Sequence, residues 1–309
     1  MRFIDSIEVA PPTPIRILLT DDSETILRFA ADGAELSCGS ALVTLVEIRG
    51  GTSRALGAQM AVRGDGSYCG FVSGGCVEAA VATEAIAAIQ KGVDRFVVLG
   101  AGSLFFDIVL PCGGGITVAI HVVREVKPLR DLLGALACRA RASLTYHTAT
   151  ETIEVMPYRL TAKWVGSMFV RPYRPAPRVM LFGTGIELEA TSKLAIASEY
   201  PTVLYEGRLP STVKITTIDM DTAVAVLYHD LSFELPVLEA ALRNQPFYIG
   251  ALGSRHTHAK RCAKLLSLGY SQADIDRIKA PIGMFGPAKD ARTLAVSILA
   301  DIAMNRVSS

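Results

Sequence analysis

The chain has 309 residues, enough for two domains that each bury a core, and its mix of 50% hydrophobic and 20% charged residues is ordinary for an α/β protein. A formal net charge of +1 excludes a nucleic-acid binder that works by bulk positive field, and no apolar run is long enough to span a membrane, since even residues 116–123 are broken by Thr117 and His121. Six cysteines without a Cys-x-x-Cys pair support neither a zinc knuckle nor a disulfide framework, and the early acid Asp5 leaves no sign of a signal peptide, so free thiols in a cytoplasmic protein are expected.

Asp22 or Ser23 caps a short helix over residues 24–31. Residues 42–48 read as a β-branched strand and residues 58–62 begin another. The turn between them runs Gly50-Gly51-Thr52-Ser53-Arg54, whose small residues allow close approach and whose arginine adds a fixed positive charge. The stretch Phe71-Val72-Ser73-Gly74-Gly75-Cys76-Val77-Glu78 combines a short apolar strand, two glycines, a cysteine and a helix start over residues 79–91. The glycines let successive N–H groups converge on an anion, and the helix behind them favours phosphate and an anionic sulfur at Cys76. Residues 95–99 and 116–123 read as buried strands. Between them lies a second cluster, Leu110-Pro111-Cys112-Gly113-Gly114-Gly115, with Cys112 36 positions after Cys76.

In the middle of the chain, a helix over 129–142 and strand-like alternation over 153–155 and 164–171 are expected, with Trp164 as a packing residue. Pro172, Pro175 and Pro177 form a stiff boundary. From Arg178 onward, strands at 178–182, 202–206, 223–228 and 247–250 alternate with helices near 189–198, 236–243 and 258–268. That order gives a doubly wound parallel sheet of Rossmann-like type. The expected domains are therefore residues 1–125, a connecting segment 126–177, and residues 178–309.

Gly183-Thr184-Gly185 after a strand, with Glu206 ending the next, fits the dinucleotide pattern in part. Leu188 replaces the third glycine, so tight NAD(P) binding is not expected. The rule that ligands sit at the carboxyl ends of parallel strands points to His229, Gly253, Ser254 and Arg255, with Arg255 and Arg261 able to grip an anion or to serve as surface charges. His256 and His258 fall on different helix faces, and His121 reads as a core histidine. Cys38, Cys138 and Cys262 read as small core residues and Cys69 is ambiguous, which leaves Cys76 and Cys112 as the chemically interesting pair.

Several of these segments together resemble the XdhC/CoxI family. The first half of the resemblance rests on Leu42-Val43-Thr44-Leu45-Val46-Glu47, the turn from Gly50 to Arg54, Gly57-Ala58-Gln59-Met60, and Ser73-Gly74-Gly75-Cys76-Val77-Glu78. The second half rests on Tyr248-Ile249-Gly250-Ala251-Leu252-Gly253-Ser254-Arg255, Ala280-Pro281-Ile282-Gly283 and Ala295-Val296-Ser297-Ile298-Leu299-Ala300. The family carries Gly-Ala-Gly-His and a strand-ending aspartate where this chain has Gly183, Gly185 and Ile186, then Glu206. The resemblance implies a maturation factor, rather than a free-standing enzyme, that binds molybdenum cofactor (molybdopterin). Such a factor delivers the cofactor in sulfurated form to a xanthine dehydrogenase-type molybdenum hydroxylase, with a cysteine desulfurase as sulfur donor. On this reading Cys76 and Cys112 hold molybdenum or relay sulfur, and both alternatives stay open. Gly50, Arg54, Ser73, Gly74, Gly75, Gly113 and Gly114 would line the cofactor, and Gly183, Gly185, Glu206, His229, Gly253, Ser254 and Arg255 would take its phosphate or pterin portion in a cleft between domains. No nucleic acid or membrane partner is expected, and a homodimer is the default assembly. The rivals are an NAD(P)-dependent oxidoreductase built on the Rossmann-like half and a nucleotide-sensing regulatory protein.

Overall fold

The computed structural model describes residues 11–103, 113–207 and 218–308, and the chain divides into two units, Met1–Pro175 and Ala176–Ser309. In the first unit, strands β1 (Ile15–Leu18), β2 (Ser40–Arg49), β3 (Gln59–Arg63), β4 (Ser67–Gly70), β5 (Arg95–Gly100) and β6 (Gly115–Val122) form a sheet in the order β1-β4-β3-β2-β6-β5. Only the β1–β4 pair of this sheet is parallel. Side chains of β2 alternate between two cores, as a period of two requires. Ala41, Val43 and Leu45 face helix α2 (Glu78–Lys91), while Leu42 and Val46 face helix α1 (Ser23–Ala34). Asp22 caps α1 by accepting from Thr25 N at 2.8 Å, and Gly92, at φ +65°, ends α2.

The segment expected to connect two domains is instead folded into the first unit. Helix α3 (Lys127–Ala137) and strands β7 (Ala142–His147), β8 (Thr152–Pro157), β9 (Lys163–Val165) and β10 (Met168–Tyr173) supply Leu132, Leu144, Ile153, Phe169 and Tyr173 to the core beneath α1. The strands make an antiparallel sheet in the order β8-β7-β10-β9. The helix expected over 129–142 stops at Ala137 because the chain reverses at Arg139, at φ +58°, and residues from Ala142 pair across the sheet. Trp164 is the packing residue expected: its Nε1 donates to Val46 O and its ring meets Phe169 edge-on.

In the second unit, β11 (Arg178–Gly183), β12 (Thr202–Glu206), β13 (Thr222–Leu227), β14 (Tyr248–Ala251) and β15 (Ile278–Lys279) form an all-parallel sheet ordered β12-β11-β13-β14-β15. Alternate residues of β11 and β13 enter opposite cores. Val179, Leu181, Ala223 and Ala225 pack against α4 (Gly185–Ala197) and α8 (Ala291–Ser308). Met180, Phe182, Val224 and Val226 pack toward α5 (Leu231–Asn244), α6 (Arg255–Ser267) and α7 (Gln272–Ile275). This is the doubly wound sheet expected, with the strand order reversing beside β11 and β13. Among the described residues, no helix is long and apolar enough to cross a membrane.

His121 is the satisfied core histidine the sequence suggests. Its Nδ1 lies 2.7 Å from Asp94 Oδ2, and Asp94 also accepts from Val122 N and from Arg124. Burial alone would raise the Asp94 carboxyl, but the His121 and Val122 hydrogen bonds and the charges of His121 and Arg124 outweigh it and hold the group below its ordinary value. Its contribution to stability is therefore complete above the unfolded carboxylate value near ~3.9 and is lost as pH falls through the lower folded value. Asp94→Asn is expected to cost about 3 kcal/mol at pH 7 in a denaturant titration, with the difference from the unaltered chain shrinking as pH falls below about 3.

Candidate functional site

The turn between β4 and α2 is anchored at both ends and bare at its tip. Val72 and Val77 are buried, whereas Gly74, Gly75 and Cys76 are exposed. Gly75 sits at φ +106°, a conformation that side chains rarely adopt, and a Cβ there would meet nothing within 4 Å. The tip thus offers a thiol beside open space.

Three N–H groups around the turn converge on the chain's own carboxylate rather than being left for an incoming anion. Glu78, the first residue of α2, is fully buried. It accepts from Val72 N (3.1 Å), Ser73 N (2.7 Å), Val77 N (3.3 Å) and the Ser73 hydroxyl (2.9 Å). A buried carboxylate needs such donors, and its place at a helix N-terminus adds the favourable end of the dipole. Ser73, itself buried, also accepts from Gly75 N, and its Oγ lies 3.5 Å from Cys76 Sγ. Ser73 and Glu78 therefore position the tip rather than face a ligand. Sequence reasoning missed Glu78, although an acid five residues after Ser73 at a helix start was the available signal.

The loop after β2 meets this turn, and the loop before β6 packs on that loop. Arg54 donates from Nε to Ser73 O (3.3 Å) and from Nη1 to Asp21 Oδ2 (3.0 Å). Ser53 Oγ lies 3.3 Å from where a Gly74 Cβ would stand. A Cβ at Gly114 would lie 2.3 Å from Gly51 O, so only glycine allows the loop before β6 to pack on the loop after β2. Gly50, at φ +80°, lies against Gly114, and Gly113 takes φ +69°. The structure thus gathers Gly50, Arg54, Ser73, Gly74, Gly75, Cys76, Gly113 and Gly114 at one end of the six-stranded sheet. Cys112 lies outside the described residues.

In the second unit, the ends of β11 and β12 bring two expected residues, Gly183 and Glu206, into register. Gly183 pairs with Glu206 and with Leu227, and a Gly183 Cβ would lie 2.8 Å from Leu227 O. His229 is exposed, with Nε2 4.0 Å from Glu187 Oε1 on α4. Leu188, in place of a third glycine, is buried with Leu181 and Leu227, so a side chain spaces α4 from the sheet. Gly185 takes φ +80° at the start of α4, earlier than the helix expected from residue 189. Gly253 takes φ +122°, Ser254 caps α6 by accepting from Thr257 N (3.2 Å), and Arg255 is exposed. Arg261 is a correction. It is fully buried, bound to Glu234 at 2.8 Å and to Leu252 O at 2.7 Å, and cannot grip a ligand.

The cysteines also need correction. Cys138 caps the end of α3 and is exposed, Cys38 sits in the turn before β2, and Cys262 lies on a partly exposed face of α6, so the last two are half-buried. Cys69, within β4, is buried, and burial pushes its thiol up to about 11. Among the described residues no group of three or more histidine, cysteine or acidic side chains could hold a metal ion.

Comparison with known proteins bears on both units. Residues 38–100 match the XdhC and CoxI family and residues 179–302 match the XdhC Rossmann domain. The molybdenum cofactor insertion chaperone PaoD of Escherichia coli (strain K12) is 48% identical over 95% of this chain and 92% of its own length. A probable subunit of xanthine dehydrogenase from Bacillus subtilis (strain 168) is 23% identical over 86% of this chain and 92% of its own. The crystal structure of a xanthine dehydrogenase from Bacillus halodurans shares the fold, with a TM-score of 0.69 at 21% identity over 91% of this chain and 96% of that one.

Alkylation at neutral pH followed by peptide mass mapping checks the burial pattern. Cys76 and Cys138 are expected to be modified in the folded chain and Cys69 only after unfolding. Modification of Cys69 at the rate of Cys76 in folded protein would contradict the arrangement.

Proposed function

From the premise that this chain belongs to the XdhC and CoxI family, we propose that it is a molybdenum cofactor insertion chaperone. The observation that carries the reading is the 48% identity to PaoD across nearly the whole of both chains. The geometry supports it. A carrier must hold its cargo and let it go, and an exposed thiol on a turn without bulky neighbours suits reversible contact with a soft, sulfur-ligated metal.

In this reading Cys76 faces the molybdenum end of the cofactor, and Gly50, Gly74, Gly75, Gly113 and Gly114 leave room for it. Glu78 and Ser73 fix the turn so that the sulfur is presented in one place. Cys112, next in sequence to Gly113, is proposed to act with Cys76. The loops at Gly183, Gly185, Glu206, His229, Gly253, Ser254 and Arg255 are proposed to hold the pterin portion. Exchange of an oxo for a sulfido ligand on the cargo, with sulfur from a cysteine desulfurase, belongs to the same proposal. So do a xanthine dehydrogenase-type client, a cytoplasmic location and a homodimer.

A nucleotide-binding reading of the second unit rests on a specific feature, the glycine-lined loop and Glu206 at the point where the strand order reverses. Leu188 argues against tight binding, because it keeps the first turn of α4 from closing on a pyrophosphate.

Protein isolated from a host that makes molybdenum cofactor is expected to carry it, read as molybdenum by elemental analysis and as pterin by fluorescence after oxidation. Cys76→Ser should lower that content by about tenfold, the scale of one lost charge-assisted contact, while leaving the melting temperature within a few degrees. Titration with NAD and NADP should show affinities no better than about millimolar. Absence of pterin from the unaltered chain, or micromolar NAD(P) binding, would turn the assignment toward the oxidoreductase.

A further inference from the structure

A cavity of about 330 Å³ opens in the first unit beside the Cys76 turn, lined by Asp21, Arg54, Gln59, Phe71, Ala162 and Arg171, among others. Arg54 joins it to the turn, since its Nε donates to Ser73 O. Two guanidinium groups lie over the aromatic ring of Phe71, Arg54 at 5.0 Å and Arg16 at 4.8 Å from its centroid. Stacking of this kind fixes the plane of a guanidinium and leaves its edges for hydrogen bonding.

Arg171 approaches from β10. Its Nε donates to Gly57 O (2.5 Å), its Nη2 to Ser23 Oγ (2.8 Å), and the group stacks on Tyr173 at 3.9 Å. Its Nη1 is buried without a hydrogen-bond partner, as is Nε of Arg16. Arg54 and Arg171 both line the cavity and outweigh the single carboxylate of Asp21 there, so its lining favours an anion. The amide of Gln59 is already committed, accepting from Tyr173 and donating to Thr44, so the unmatched capacity lies with the arginines.

The remaining charge in the cavity is Asp21. Its side chain is 76% exposed and contacts Arg54 at 3.0 Å. An exposed ion pair of this sort is weak and readily displaced. The carboxylate thus occupies the position an anionic ligand oxygen would take on Arg54.

We propose that this cavity is a phosphate subsite, in which Arg54 and Arg171 bind a phosphate or pyrophosphate ester and Asp21 serves as the displaceable occupant when the ester is absent. Resting on the chaperone reading, the ester is the phosphate end of the cofactor whose metal end meets Cys76. The planar forks of two arginines match tetrahedral oxyanions, and stacking on Phe71 and Tyr173 holds those forks in place.

Calorimetric titration of the full-length, cofactor-free chain with inorganic pyrophosphate at low ionic strength tests the site. Arg54→Gln and Arg171→Gln are each expected to weaken binding by at least about tenfold. Asp21→Asn is expected to tighten it by about threefold, because it removes the competing carboxylate, an effect a purely structural ion pair would not give. Arg171→Gln also loses its bonds to Gly57 and Ser23, so its melting temperature is measured alongside. Should it unfold, Arg54→Gln and Asp21→Asn carry the test. No pyrophosphate binding by the unaltered chain, or binding that Arg54→Gln and Asp21→Asn leave unchanged, overturns the subsite.

A second arm compares cofactor content of the same variants isolated from a cofactor-making host, with a several-fold loss in Arg54→Gln expected. Undiminished cofactor in Arg54→Gln and Arg171→Gln would overturn the subsite while the chaperone reading stands. Arginine-dependent pyrophosphate binding in a chain that never carries cofactor would sustain the subsite for a phosphate ester from another source and remove the chaperone reading.

Discussion

The buried carboxylate of Glu78 is the interaction on which the first unit's functional end depends. It draws the N–H groups of Val72, Ser73 and Val77 and the Ser73 hydroxyl onto one acceptor. Those donors would otherwise be unpaired at the junction of a strand and a helix, each at a cost of about 1–3 kcal/mol. Because the carboxylate is part of the chain, the turn is organised before any ligand arrives. What remains free is the tip, Gly74-Gly75-Cys76, held between two buried valines.

Around that tip the sheet does the rest. Strands β2 and β4 end near where β6 begins, and Gly114 lets the loop before β6 touch backbone to backbone with Gly51. Arg54 ties the loop after β2 to Ser73 and, stacked on Phe71, turns toward the cavity shared with Arg171. In the proposed reading, the exposed thiol of Cys76 and the basic cavity at the same end of one sheet would serve the metal end and the anionic end of one cofactor.

Much of this is legible in the sequence where the pattern is local. The strand–helix alternation after Arg178 and the glycine turns announce themselves by spacing, and the positive φ values of Gly50, Gly75 and Gly185 are the reason for glycine at those places. The antiparallel sheet of β7 to β10 is hidden because its pairing is non-local: residues 138–142 suit a helix, and only the reversal at Arg139 and the partner strands decide otherwise. Glu78 reads as the last residue of a motif; an acid at a helix start is the local signal, but its folding back on residues five and six positions earlier is set by the turn. Arg171 is invisible for the same reason, standing more than a hundred positions from Gly57, which it binds. Arg261 misleads because a charge in a helix pattern reads as surface, whereas Glu234 neutralises it inside the core.

Amide hydrogen exchange, read residue by residue in the full chain and in Glu78→Ala, tests most directly whether Glu78 organises the turn. The N–H groups of Val72, Ser73 and Val77 are predicted to be protected in the unaltered chain. In Glu78→Ala they should exchange at least about tenfold faster, while Ala85 and Ile86 in the middle of α2 keep their protection. Exchange of those three groups at unprotected loop rates in the unaltered chain, or protection unchanged by Glu78→Ala, would contradict the account.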